Sequence, residues 1–445
     1  MKKIVIVGGN HAGTAAANTI LDQYGTNHEV TVIDRNSNIS YLGCGTALWI
    51  GGQINSTEGL FYSSKEQLEA KGANVHLESE VKDINFESKE VLAITKDGKK
   101  IQQPYDKLIL ATGSLPVPPK IKGIELENVY YVKLFQDAQK IYKALDNEAI
   151  KNVAVIGAGY IGVELAEAIQ RRGKKALLFE ASPTTLSSYY DSWFTKDMDE
   201  NLAKNGVELH LEETLQEIQG EQKVSALVTD KGNYEVDMVI VSIGFMPNTI
   251  LGANHLHTFK NGAYQVNFNQ ETNIPDVYAV GDCATVYNNA LESPAYIALA
   301  TNAVRSGIVA AHNACGTALE SIGVQGSNGI SIFGYNMVST GLNVKAAQAA
   351  GFDATYTEYE DLQKLDFFKE NNHPVKIRIV YDKTSRRILG AQMASFENIS
   401  MGIHMFSLAV SEKVTIDKLK LLDLFFLPHF NQPYNYITMA ALAAE

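Results

Sequence analysis

Two short apolar runs, each ending in a glycine turn, constrain this chain more than any other feature. They are Lys3-Ile4-Val5-Ile6-Val7-Gly8 and Asn152-Val153-Ala154-Val155-Ile156-Gly157, about 150 residues apart. Unbroken apolar, largely β-branched runs of this length read as strands buried on both faces, as in a parallel sheet. A helical stretch follows each, Thr14 to Leu21 and Ile161 to Arg171, and then a second strand, Glu29 to Asp34 and Lys175 to Glu180. Strand, tight turn, helix and parallel strand make a βαβ unit, the beginning of a doubly wound sheet. Its occurrence twice predicts two nucleotide-binding domains.

The second turn, Gly157-Ala158-Gly159-Tyr160-Ile161-Gly162, carries the complete dinucleotide fingerprint. The first glycine permits the turn, the second lets backbone approach a pyrophosphate, and the third packs helix on strand. Glu180 ends the next strand, where a carboxylate can accept bonds from ribose hydroxyls. Ala181-Ser182-Pro183-Thr184-Thr185 offers no Arg or Lys for a 2′-phosphate, which favours NADH over NADPH. The first turn, Gly8-Gly9-Asn10-His11-Ala12-Gly13, is imperfect because Asn10 holds the middle glycine position, yet Asp34 ends its second strand. Two further runs mirror each other: Tyr105 to Leu110 leads into Ala111-Thr112-Gly113, and Val236 to Ile243 leads into Gly244. The strand Val277 to Val280 reaches Gly281-Asp282, where the carboxylate can meet a flavin's ribityl chain or simply cap a helix.

Pro-rich Leu115-Pro116-Val117-Pro118-Pro119 marks a crossing between domains, and the pattern changes again near Gly326. Val375 to Tyr381 and Ile388 to Met393 read as strands and Ser400 to Val410 as a helix, a separate α+β domain. At 445 residues, three domains with full cores are expected. A net charge of −12 argues against nucleic-acid and anionic-membrane partners, and no apolar run is long enough to span a bilayer. The start, Met1-Lys2-Lys3 before four apolar residues, reads as a strand and not a signal peptide. Cys44, Cys283 and Cys315 are too few and too far apart for a disulfide framework or a metal site. A soluble protein of a reducing cytoplasm is expected.

In order and content these stretches resemble the pyridine nucleotide-disulfide reductase superfamily along essentially the whole chain. The resemblance implies an α/β fold with two Rossmann-like dinucleotide-binding domains plus a C-terminal α+β dimerisation domain. It divides the chain into an FAD domain (1–118 and 244–325), an inserted NADH domain (119–243) and a dimerisation domain (326–445). Most such reductases carry Cys-x4-Cys beside the flavin. Here Gly43-Cys44-Gly45-Thr46-Ala47-Leu48-Trp49-Ile50 lacks the second cysteine, resembling the single-cysteine branch of NADH oxidases, NADH peroxidases and coenzyme A-disulfide reductases. Asn10-His11 is typical of the oxidases and peroxidases, and Asn18 to Asn27 lacks the basic residues usual for coenzyme A phosphates. With Phe425 to Tyr434, the chain looks most like the water-forming NADH oxidases.

That resemblance implies a homodimer using FAD, NADH and O2, with Cys44 cycling between thiolate and sulfenic acid and His11 supplying a proton. The helix start after Cys44 and the nearby His11 are both expected to lower the thiol's pKa. FAD contacts are expected from Gly8, Gly9, Asn10, His11, Ala12, Gly13, Asp34, Cys44, Val81, Ala111, Thr112, Gly113, Ser114, Lys133, Gly281, Asp282, Ala300 and Phe430, the last reaching the partner subunit's site. Lys133 could instead be a solvated lysine at a helix start. NADH contacts are expected from Gly157, Ala158, Gly159, Tyr160, Ile161, Gly162, Glu164, Glu180, Tyr189, Gly244 and Gly329. The pairs Tyr189-Tyr190 and Phe425-Phe426 could equally be core packing. NADH peroxidase and coenzyme A-disulfide reductase stay open as alternatives, and a flavoprotein redox sensor is the reading of another class.

Overall fold

A computed structural model describes residues 1–445, the side chain of Thr26 excepted. The first apolar run forms the strand Lys2–Val7 at the centre of a five-stranded parallel sheet. Its neighbours are His28–Ile33 on one side and Lys107–Leu110 on the other, with Asn74–His76 and Val277–Ala279 at the edges. The second run forms Asn152–Ile156 at the centre of an equivalent sheet, ordered Glu208–Leu211, Lys175–Glu180, Asn152–Ile156, Met238–Val241, Val129–Tyr131. Ile4, Val5, Ile6, Val153, Ala154 and Val155 are fully buried, as strands covered on both faces require.

The helices His11–Tyr24 and Tyr160–Arg171 follow the two central strands, each longer at its start than the periodicity alone marks. The edge strand Val277–Ala279 of the first sheet comes after the whole second sheet in sequence, so the second domain is inserted into the first. Where the chain leaves and returns, Ser114–Pro116 pairs antiparallel with Phe245–Pro247. Each parallel sheet is accompanied by a three-stranded antiparallel sheet, Ser79–Asn85 to Lys100–Pro104 and Leu215–Gly220 to Asn233–Glu235. Neither small sheet stood out in the sequence, because their strands alternate buried and exposed residues and break register at bulges.

The last third builds a five-stranded antiparallel sheet in the order Asn328–Ile332, Tyr335–Gly341, Ile388–Ser395, Pro374–Asp382, Ala354–Leu362. The helix Ser400–Ser411 packs on it through Ile403, Phe406 and Val410. An ionic seam fastens this domain to the inserted one. Arg378 Nη1 lies 2.7 Å from Asp191 and Lys376 Nζ 2.6 Å from Asp197. The Arg378 guanidinium also pairs with Glu358 and sits 4.2 Å from the centre of the Tyr356 ring.

Candidate active site

Both glycine turns are built the same way. Gly8 and Gly157 take φ of +103° and +97°, which an L side chain resists. A Cβ on Gly13 would fall 1.8 Å from the Gly8 carbonyl oxygen, and one on Gly162 equally close to that of Gly157. Only glycine therefore lets each helix seat against its strand. A Cβ on Gly159, by contrast, would meet nothing within 4 Å. That open side, at the N-terminus of the helix Tyr160–Arg171, is what a pyrophosphate needs. Asn10 lies in the equivalent place before the helix His11–Tyr24, with extended backbone and no bond from its side chain to the helix. The cradles fit FAD and NADH.

The acidic strand ends are held by their own turns. Asp34 accepts bonds from the amides of Gly9 (2.6 Å) and Asn36 (2.7 Å). Glu180 accepts from Ala158 and Ser182, both at 2.8 Å. Burial pushes the Asp34 carboxyl up, against the pull of its amide bonds.

At the junction of the first sheet with the crossing ladder, Ser114 Oγ donates to Asp282 Oδ2 at 2.8 Å. Lys133 Nζ donates to the Ser114 hydroxyl at 2.8 Å and lies 3.2 Å from the same carboxylate. Asp282 is thus no helix cap, since its carboxylate belongs to this cluster. Lys133 is no solvated lysine either, since its ammonium also sits 4.4 Å from the Phe245 ring centre. Thr112 Oγ1 donates to the Asn248 carbonyl, tying Ala111-Thr112-Gly113 to the returning strand. Gly281 packs on Ala12, and Ala300 begins the helix Ala300–Cys315.

Cys44 lies in the short turn Gly43–Gly45 with accessible surface of its own. Protein still crowds the thiol at longer range, so burial pushes its pKa up, and the Glu164 carboxylate adds to this. The sequence-based expectation of a lowered pKa is therefore corrected. The helix after Cys44, Thr46–Ile50, spans barely more than one turn, and His11 is not among the leading influences on the thiol. Burial and the Lys133 charge hold His11 below the ordinary imidazole value, so near neutrality it carries no charge to offer. The groups pulling the thiol down are its own amide and Lys133. Asp282 and Lys133 act on both Cys44 and His11, which places all four in one electrostatic neighbourhood.

On the other side, Glu164 is raised to about 7 by burial and then by Glu167. Tyr189 is 42% exposed and meets Tyr160 edge to face at 4.5 Å, whereas Tyr190 is buried in the core. The Tyr160 hydroxyl bonds Tyr190 at 2.8 Å and also Asn328, which neighbours Gly329. Core packing thus accounts for Tyr190 but not for Tyr189, Phe425 or Phe426, which are exposed. Val81 is a core residue under the first sheet. Phe430 stands apart from all of these; its ring meets Phe425 and its carbonyl accepts from Gln363. Tyr62, Asn328 and Phe245 went unnoticed in the sequence, because only long-range packing brings them here.

Residues 2–307 match the pyridine nucleotide-disulphide oxidoreductase family, and residues 329–435 match its dimerisation domain. The chain belongs to this family. Within it, the chain is 58% identical to an NADH oxidase of Streptococcus pyogenes and 57% identical to one of Lactococcus lactis, covering 100% of this chain and of each relative. Its fold is similar to that of a water-forming NADH oxidase from Lactobacillus brevis solved with NADH. The TM-score is 0.96 at 36% identity, over 100% of this chain and 98% of that one. Among pyridine nucleotide-disulphide oxidoreductases, then, this chain carries a single exposed cysteine at its site. Cys283 is buried against the Leu110 and Val280 carbonyls.

Proposed function

We propose that the protein is an FAD-dependent NADH oxidase that reduces O2 by four electrons to water, with Cys44 alternating between thiolate and sulfenic acid. The observation that carries this reading is the exposed Cys44 sharing the fields of Lys133 and Asp282 with His11. The overall likeness to relatives named NADH oxidase supports it.

FAD, when bound, supplies the two-electron transfer from NADH to O2. The protein's own residues handle the peroxide. Cys44 Sγ, as thiolate, attacks one peroxide oxygen; an S–O bond forms, the O–O bond breaks, and the departing hydroxide takes the N–H proton of neutral His11 to become water while the other ring nitrogen gains a proton. The Cys44 sulfenic acid then takes two electrons, drawn from a second NADH, and two protons, one from that NADH and one from solvent; the S–O bond breaks, the second water leaves and Cys44 returns as a thiol, which gives up its proton before the next cycle. The thiolate leans on the Lys133 charge. Protonation of Glu164, whose pKa of about 7 lets it gain a proton near neutrality, removes the charge that opposes it.

Glu180 and Asp34 hold the ribose ends, and the absence of a cation after Glu180 supports NADH as the coenzyme. A coenzyme A substrate is less well served. The lysine nearest the helix His11–Tyr24, Lys71, is neutralised by Asp22 at 2.7 Å and bonded by Asn18 at 2.8 Å. Phe425 and Phe430, both exposed and in edge-to-face contact, and exposed Tyr434 close by in sequence suit a second copy of the chain, giving a homodimer. Among the described residues no helix is long and apolar enough to cross a membrane, and the three unpaired cysteines suit a reducing cytoplasm. Steady-state turnover in air tests the proposal. About two NADH per O2 with little free peroxide is expected. One NADH per O2 would overturn it, and oxidation only on peroxide addition would favour the peroxidase reading.

A further inference from the structure

His11 has two faces. Toward the proposed reaction centre it meets the fields of Asp282 and Lys133. On the other side its Nδ1 lies 2.9 Å from the Tyr62 hydroxyl, with the two rings nearly parallel at 5° and their centres 5.7 Å apart. Tyr62 is 45% exposed and lines a cavity of about 600 Å³ whose other polar walls are Asn18, Asp22, Ser63, Gln67 and Lys71. The phenol therefore stands between His11 and a polar cavity.

We propose that Tyr62 is a positioning residue that fixes the tautomer of His11 and joins it to the cavity as the route by which protons reach Cys44. This rests on the four-electron reading. A neutral imidazole has one N–H, and only an Nε2–H leaves Nδ1 free to accept from Tyr62. Burial raises the Tyr62 pKa to about 12, so the phenol keeps its proton and acts as the donor. His11, held below the usual imidazole range, stays neutral, which makes the choice of tautomer matter.

The proton balance is complete. Nε2–H passes to the hydroxide that leaves the peroxide as the S–O bond forms, Nδ1 takes the Tyr62 proton, and Tyr62 takes one from water in the cavity, leaving a hydroxide there that solvent neutralises. When Cys44 returns as a thiol, Nε2 takes its proton and Nδ1 releases its own through Tyr62. The ring is then back in its starting tautomer and Cys44 is a thiolate. The charged and titratable groups acting on His11 throughout are Asp282, Lys133 and Tyr62.

Peroxide released per O2 consumed is to be measured from pH 6 to 9 on flavin-loaded parent, Tyr62→Phe, Cys44→Ser and the double variant. Tyr62→Phe should release at least roughly threefold more peroxide than the parent at pH 8.5. It should approach the parent as pH falls, because solvent protons reach the imidazole without the phenol. In the Cys44→Ser background the second change should add nothing. Parental peroxide levels at every pH, or an excess independent of pH, would overturn the role of Tyr62. A parent that itself releases one peroxide per O2 would instead defeat the four-electron reading beneath it. Should Tyr62→Phe not fold, ¹⁵N shifts of His11 in the parent decide the matter. The Nε2–H tautomer is expected, and a dominant Nδ1–H form overturns the proposal.

Discussion

Asp34 and Glu180 occupy the same corner of two separate sheets. Glu180 ends, and Asp34 directly follows, a strand beside the central one, and each accepts the amide that follows the first turn glycine, Gly9 for Asp34 and Ala158 for Glu180. Each also takes a second amide two residues downstream, Asn36 and Ser182. These bonds aim the carboxylate without exhausting it: Asp34 Oδ1 is filled by the amide and the side chain of Asn36, but Asp34 Oδ2 and both Glu180 oxygens keep acceptor capacity for a ribose hydroxyl. The chain has thus built one nucleotide corner twice.

Coenzyme choice should follow from that corner. NADH is expected to exceed NADPH in kcat/KM by at least roughly tenfold, because Glu180 repels a 2′-phosphate. Glu180→Ala removes the repulsion and leaves two amides unpaired, a loss of about 1–3 kcal/mol for NADH. The NADH advantage should therefore shrink, and an unchanged ratio would show that Glu180 does not read the ribose.

Cys44→Ser keeps the shape of the site and removes the nucleophile. The variant should consume about one NADH per O2 and release peroxide, where the parent consumes about two and releases little. Cys283→Ser and Cys315→Ser should leave that ratio alone. Clean water formation by Cys44→Ser would make Cys44 structural.

The two turn glycines should separate the cofactors. Gly13→Ala and Gly162→Ala each push a methyl into a carbonyl at 1.8 Å, a strain of roughly 1–3 kcal/mol. Gly13→Ala is expected to lose flavin absorbance on purification. Gly162→Ala should keep its flavin and show a raised KM for NADH. The reverse pattern would exchange the two assignments.

Glu164 makes stability depend on pH. Its folded pKa is raised to about 7 from an ordinary carboxylate value near 4.5, chiefly by burial. The folded state then binds the proton more tightly than the unfolded state. The contribution is fully present below pH 4.5 and is lost as pH rises through 7. Glu164→Gln should flatten this slope, gaining on the order of 2 kcal/mol over the parent at pH 7.5 in chemical denaturation without NADH. An equal gain at pH 4.5 would assign the effect to something other than titration.

The seam between the inserted and C-terminal domains should be sensitive to single changes. Arg378 and Asp191 are only 10% and 13% exposed in their side chains. Arg378→Met strands Asp191 and Glu358 and should cost about 3 kcal/mol, read as a lowered Tm. Adding Asp191→Asn should recover part of the loss. A double variant as unstable as the sum of the two singles would mean the pair is not coupled.

Local pattern carried much of this protein. The two βαβ units, their glycine turns and the carboxylates Asp34 and Glu180 are set by hydrophobic period and by backbone conformations that only glycine adopts. Cys44 was legible because it stands alone between glycines. What sequence order could not place are partners brought together by packing. Tyr62 meets His11 from 51 residues away, Lys133 meets Asp282 from 149 and Tyr160 meets Asn328 from 168. The thiol's electrostatics belong to the same class. Cys44 is pushed up, not down, because burial and the fields of Glu164 and Asp282, which outweigh that of Lys133, converge on one atom only after the domains have packed. A periodic pattern records which face of an element is buried, whereas a charge's neighbours are decided by the whole fold.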